Sequence, residues 1–138
     1  MRHVLLVEDN PLNQAVIADA FRYANLPGEL VCANSAEEAL QLLPSLDPFV
    51  VLMDLMLPGM SGIEATRIIR KREQQEHRPP VYIVALTASV MQGNREECLA
   101  AGMDDYLSKP VRRKKLAEIL RKCCPVVEKP MIEEPLIS

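Results

Sequence analysis

Phe49-Val50-Val51-Leu52-Met53-Asp54 is an unbroken apolar run that ends on a carboxylate. A strand with one wet face alternates apolar and polar residues. A continuous run suits a strand covered on both faces, as in a parallel sheet. The same texture recurs at His3–Val7, Glu29–Ala33, Val81–Leu86 and Asp105–Leu107.

Helical patterns fill the intervals. Asn10-Pro11 offers a cap and a proline at the first helical position, and Leu12, Ala15, Val16, Ala20 and Tyr23 follow at helical spacing up to Pro27-Gly28. Ser35-Ala36-Glu37-Glu38 has capping-box spacing ahead of Ala39, Leu40 and Leu43, and Ser61-Gly62-Ile63-Glu64 repeats it ahead of a helix to about Arg72. A fourth helix is expected from about Ser89 to Ala101, stopped by Gly102, and a fifth from about Arg112 to Cys123 with Leu116, Ile119, Leu120 and Cys123 on one face. Five βα units with right-handed crossovers predict a doubly wound α/β domain, (βα)5, with helices on both faces of a five-stranded parallel sheet. We expect one domain over residues 1–124. Residues 125–138, with Pro125, Pro130, Pro135 and several acids, read as a flexible tail or linker.

Composition bounds the rest. The 138 residues suit one domain, and 49% hydrophobic with 4% aromatic content predicts an aliphatic core. A net charge of −3 gives no general attraction to nucleic acid or anionic membrane. No apolar stretch is long enough for a signal peptide or a membrane span. Cys32, Cys98, Cys123 and Cys124 have neither CxxC nor metal spacing, so reduced cysteines in a cytoplasmic protein are expected. The basic run Arg112-Arg113-Lys114-Lys115 opens an amphipathic helix and reads as a solvated or partner-docking face rather than a nucleic-acid site.

In an open α/β sheet, ligands bind beyond the carboxyl ends of the strands. Glu8 and Asp9 follow the first strand, Asp54 the third, Thr87 the fourth, and Ser108, Lys109 and Pro110 the fifth. Asn34 and Ser35, after the second, look like caps. Crowded carboxylates repel one another, and a bound cation relieves the repulsion. An all-oxygen set favours Mg²⁺ over Zn²⁺. Lysine and threonine can meet an oxyanion. The joint pattern reads as a phosphoryl-transfer site with a carboxylate nucleophile, although any one of these residues alone is better explained by a cap or a turn.

With those residues in view, the chain resembles the receiver domains of response regulators in two-component signalling. Four segments carry the resemblance: Val4-Leu5-Leu6-Val7-Glu8-Asp9-Asn10, Val51 to Met60, Ala85-Leu86-Thr87-Ala88 and Gly102 to Pro110. It spans roughly residues 3 to 122. It implies a flavodoxin-like fold with strand order 2-1-3-4-5. It implies Asp54 as phosphoacceptor; Asp9, Asp54, Glu8 and the Met56 backbone carbonyl around Mg²⁺; Lys109 and Thr87 on the phosphoryl group; Thr87 and Tyr106 as switch residues; and a cis bond before Pro110. Glu8 stands where relatives often have Asp, and Ser61 where many have Asp; both changes keep the needed chemistry.

The motif style is most similar to receivers of hybrid sensor histidine kinases, which implies a histidine kinase or a histidine phosphotransfer protein as partner. A phosphorylation-dependent homodimer is a further expectation. His3 lies in a strand and His77 in a polar loop, so the histidine donor is sought on another chain or segment. Two other classes compete. A haloacid-dehalogenase-like phosphohydrolase would want Asp-x-Asp, whereas Asp54-Leu55-Met56 lacks the second acid. A degenerate binding-only receiver would have lost the acceptor, an acid or the lysine. The glycines form neither GxGxxG nor a P-loop.

Overall fold

The computed structural model describes residues 2–88 and 94–124. The expected tail at 125–138 and the expected start of the fourth helix at 89–93 lie outside them. Five strands, β1 (His3–Val7), β2 (Glu29–Ala33), β3 (Pro48–Asp54), β4 (Tyr82–Thr87) and β5 (Asp105–Ser108), form one parallel sheet in the order β2-β1-β3-β4-β5. The helices are α1 (Pro11–Ala24), α2 (Ala36–Leu42), α3 (Gly62–Gln75), α4 (Asn94–Ala101) and α5 (Arg113–Cys123), with a 3₁₀ turn at Leu43–Ser45.

The strand period of two divides the core. Val4, Leu6, Val50, Leu52, Val84 and Leu86 point to one face and pack with Ile17 and Ala20 of α1 and Leu116 and Leu120 of α5. Leu5, Val7, Val51, Met53, Ile83 and Ala85 point to the other and meet α2, Ala65 and Ile69 of α3, and Cys98 of α4. Both faces of each central strand are therefore dry, which is why its sequence lacks alternation. Each fully buried Val, Leu, Ile or Met among them contributes about 1.5–3 kcal/mol through burial.

Helix ends follow local chemistry. The Asn10 side chain accepts the Leu12 and Asn13 N–H groups at 2.8 and 3.2 Å, Ser35 accepts from Glu38, and Ser61 accepts from Glu64. Two ends differ from the sequence expectation. α1 stops at Ala24, ahead of Pro27-Gly28, because Asn25 takes a left-handed conformation at φ 55 and its N–H bonds Arg22 O. Asparagine tolerates that region, so it ends the helix without glycine. α3 continues past Arg72 to Gln75. Its last turn is anchored by an Arg70–Glu73 ion pair at 2.8 Å rather than by apolar spacing.

Register brings the chemistry to one edge. Val7 pairs with Met53, Asp54 with Leu86, and Thr87 with Ser108. The residues leaving β1, β3, β4 and β5 thus emerge side by side.

Candidate functional site

Glu8 and Asp9 follow β1 at this edge. Glu8 is 1% exposed. Its Oε2 accepts the Asn10 N–H at 3.1 Å, so the cap of α1 also orients the carboxylate. Its Oε1 lies 3.1 Å from Lys109 Nζ, a close ion pair whose alignment falls short of a hydrogen bond. Asp54, the last residue of β3, is 2% exposed. Its Oδ1 accepts the Met56 N–H at 3.0 Å, and its Oδ2 lies 3.2 Å from Lys109 Nζ. Asp9 is exposed at the rim.

Lys109 therefore bridges two buried carboxylates. Burial works to lower its pKa, but Glu8 and Asp54 outweigh burial and raise it above the usual lysine value. Its ammonium is held charged beside Asp54. The backbone supports this placement, because the Lys109 N–H donates to Thr87 O at 2.7 Å and the Leu55 N–H to Leu86 O at 3.0 Å. The Lys109–Pro110 peptide bond is cis. Thr87 is buried at the end of β4.

Carboxylate oxygens of Glu8, Asp9 and Asp54 all lie within 4.8 Å of one another. Three carboxylates against one lysine leave net negative charge at a partly buried spot. The all-oxygen donor set suits a hard divalent cation such as Mg²⁺, so these residues fit the metal implied by the sequence resemblance.

Glu8, Asp9, Asp54 and Lys109 thus form one cluster, with Thr87 and the Met56 backbone at its border. Tyr106 sits apart, midway along β5 and half-buried, with the Arg95 guanidinium 5.1 Å from its ring centroid. Sequence reading missed three contributors. Gln14 donates to Glu8 O at 2.6 Å and to Asn34 Oδ1 at 2.9 Å, tying α1 to the β1 and β2 exits. Arg95 carried no motif. Gly62 permits close approach: a Cβ there would lie 2.5 Å from Asp54 O and 2.8 Å from Met53 Cγ. A small residue after a helix cap was its one sequence signal.

A five-stranded parallel sheet with an acidic cluster and a lysine at its carboxyl edge defines a class, the flavodoxin-like α/β proteins that work at strand exits. Residues 4–121 match the family described as response regulator receiver domain, and the chain belongs to that family. It is 37% identical over 120 residues to the sensor histidine kinase GacS of Pseudomonas protegens. That match covers 86% of this chain but 13% of GacS. The receiver domain of the sensor histidine kinase PA1611 of Pseudomonas aeruginosa, solved with a magnesium ion coordinated in its active-site cleft, is 40% identical with a TM-score of 0.76, covering 88% of this chain and 96% of that one. The receiver domain of Saccharomyces cerevisiae Ssk1, solved with the histidine phosphotransfer protein Ypd1, is 36% identical with a TM-score of 0.79, covering 88% of each chain. No described helix is long and apolar enough to cross a membrane.

Proposed function

We propose that residues 1–124 act as a phosphoacceptor receiver, with Asp54 taking a phosphoryl group from a phosphohistidine. The observation that carries this reading is Lys109, whose ammonium sits 3.2 Å from Asp54 and 3.1 Å from Glu8 inside a three-carboxylate cluster. In the transfer, Asp54 Oδ2 attacks phosphorus, the P–N bond to the donor imidazole breaks, and the imidazole nitrogen regains a proton from solvent. Lys109 turns from the carboxylates to the phosphoryl oxygens and stabilises their charge. Thr87 donates its hydroxyl to the same oxygens. Glu8, Asp9, Asp54 and the Met56 carbonyl would hold Mg²⁺, which when bound offsets phosphoryl charge.

Phosphorylation adds about −1.5 to −2 charges at the strand edge. Thr87 is drawn toward the new group, and Tyr106 on the adjacent strand responds to the space Thr87 leaves. The shift is as large as the difference in interaction energy between the two states.

A histidine phosphotransfer protein or a histidine kinase is the partner we propose. Leu12 (77% exposed) and Val16 (45%) stand one turn apart on α1, directly after the acidic pair, and Met56 (77%) follows Asp54. Exposed aliphatics beside a reactive carboxylate suit an apolar helix face that brings its phosphohistidine into line. On this reading the chain passes phosphate within a relay, either as part of a hybrid kinase or as a separate regulator.

Transfer from a ³²P-labelled histidine phosphotransfer protein tests the proposal. Label is expected to move to wild-type protein in Mg²⁺ and to stay on the donor with Asp54→Asn. Leu12→Glu/Val16→Glu is expected to slow transfer while leaving phosphorylation by a small-molecule donor unchanged. Label moving equally to Asp54→Asn would refute the assignment.

A further inference from the structure

Asp9 is the one carboxylate of the cluster that no other group of the protein holds. Glu8 has the Asn10 N–H and Lys109, and Asp54 has the Met56 N–H and Lys109. Among the described residues the Asp9 carboxylate makes no hydrogen bond and no ion pair, yet one of its oxygens lies within 4.8 Å of oxygens of both the others. Like charges at that range repel, and Asp9 is exposed, so turning outward into water would relieve it. Keeping its side chain over the cluster falls to the backbone.

The backbone at that point is gripped from three sides. The Glu8 N–H donates to Ala33 O, at the end of β2, at 3.0 Å. The Asn10 N–H is tied to Glu8 Oε2 at 3.1 Å. Between them lies Glu8 O, part of the peptide that carries Asp9, and it accepts from Gln14 Nε2 at 2.6 Å. Gln14 is half-buried, early in α1. Glu8 O can only accept, so the nitrogen of the Gln14 amide faces it, and the second hydrogen on that nitrogen goes to Asn34 Oδ1 at 2.9 Å. Asn34 is fixed in turn: its N–H donates to Glu38 Oε1 at 2.7 Å, next to the Ser35 cap of α2. Three elements thus converge on one peptide oxygen.

We propose that Gln14 is a positioning residue for the metal site: it locks the Glu8–Asp9 peptide so that Asp9 faces Glu8 and Asp54 as a preorganised ligand for a divalent cation. The role rests on the phosphoacceptor reading for its metal. It reaches that metal only through Asp9, since the Gln14 amide bonds none of the three carboxylates. A lock of this kind raises affinity because the carboxylates are brought together before the ion arrives. Groups that orient metal ligands change affinity by about 10–100-fold, and one neutral bond to a backbone oxygen belongs at the low end.

Gln14→Met keeps the length and the helix propensity and removes both donors. Mg²⁺ dissociation constants are read by NMR titration for wild type, Gln14→Met, Asp9→Asn and the double variant. Gln14→Met is expected to weaken Mg²⁺ about tenfold. In the Asp9→Asn background the same change is expected to matter by about twofold or less. In chelator, exchange of the Asn10 amide is expected to rise several-fold in Gln14→Met, with Ile17 and Ala20 in the middle of α1 unchanged. Equal factors in the two backgrounds, an unchanged dissociation constant, or exchange that rises along all of α1 (Gln14 then serves the helix) would overturn the inference. A wild type that does not respond to Mg²⁺ would instead remove the metal from the proposed function, and this role with it.

Discussion

Replacing Lys109 by methionine keeps most of the stem and removes the charge between Glu8 and Asp54. Both carboxylates are almost wholly buried, and the lysine side chain is itself 21% exposed, so solvent screens the cluster weakly. Stranding a buried charge by removing its partner costs about 3–5 kcal/mol. Here the lower end applies, about 3 kcal/mol, because Glu8 keeps the Asn10 N–H and Asp54 keeps the Met56 N–H, and those bonds persist in the variant. With a urea slope of about 1.5 kcal/mol per molar, the unfolding midpoint falls by about 2 M. The assay is urea unfolding in chelator, repeated in Mg²⁺. Magnesium at 100 times its dissociation constant adds about 2.7 kcal/mol to either protein through linkage. Lys109→Met is expected to bind the ion more tightly than wild type because no ammonium competes for the carboxylates, so at one Mg²⁺ concentration it gains more than wild type and the gap between the two narrows. An unchanged midpoint in chelator, or a loss that Mg²⁺ leaves untouched, would refute the reasoning.

Gly62→Ala places a methyl 2.5 Å from Asp54 O, which forces the end of β3 to shift; we expect a loss of about 1–3 kcal/mol and slower phosphorylation of Asp54, read by unfolding and by intact mass. Arg70 donates to Gly102 O at 2.9 Å, Glu73 at 2.8 Å and Asp104 at 2.9 Å, joining α3 to the segment before β5. Arg70→Met is expected to lose about 2 kcal/mol, discounted for the half-exposed Asp104, and unchanged thermal unfolding would contradict this. Burial pushes the Cys123 thiol up from 9.0 to about 11. The folded state then holds a proton that the unfolded state releases. Its stabilisation is whole below pH 9 and is lost as pH climbs toward 11, so wild-type stability should fall more steeply there than that of Cys123→Ala.

The sheet was legible because burial on both faces writes itself as uninterrupted apolar runs. β1 and β2 fall at the expected residues, and β3 and β4 differ by a residue or so at their ends. Helix starts were legible because Asn10, Ser35 and Ser61 cap by local hydrogen bonds. Helix ends were less so. Asn25 ends α1 by backbone conformation, and the last turn of α3 rests on Arg70–Glu73, a contact that apolar periodicity does not register. At the site, Glu8, Asp9, Asp54 and Lys109 could be found one strand exit at a time, since parallel register brings the exits to one edge. Gln14, Gly62 and Arg95 could not, because their contacts are made between separate elements once these pack and they belong to common residue types.

Intact mass after incubation with acetyl phosphate, with and without Mg²⁺ and beside Asp54→Ala, bears most directly on the central reading. We expect a Mg²⁺-dependent gain of one phosphoryl group in wild type and none in the variant. A folded wild type that gains nothing from acetyl phosphate or from phosphohistidine donors, or an Asp54→Ala protein that gains as much, would contradict it.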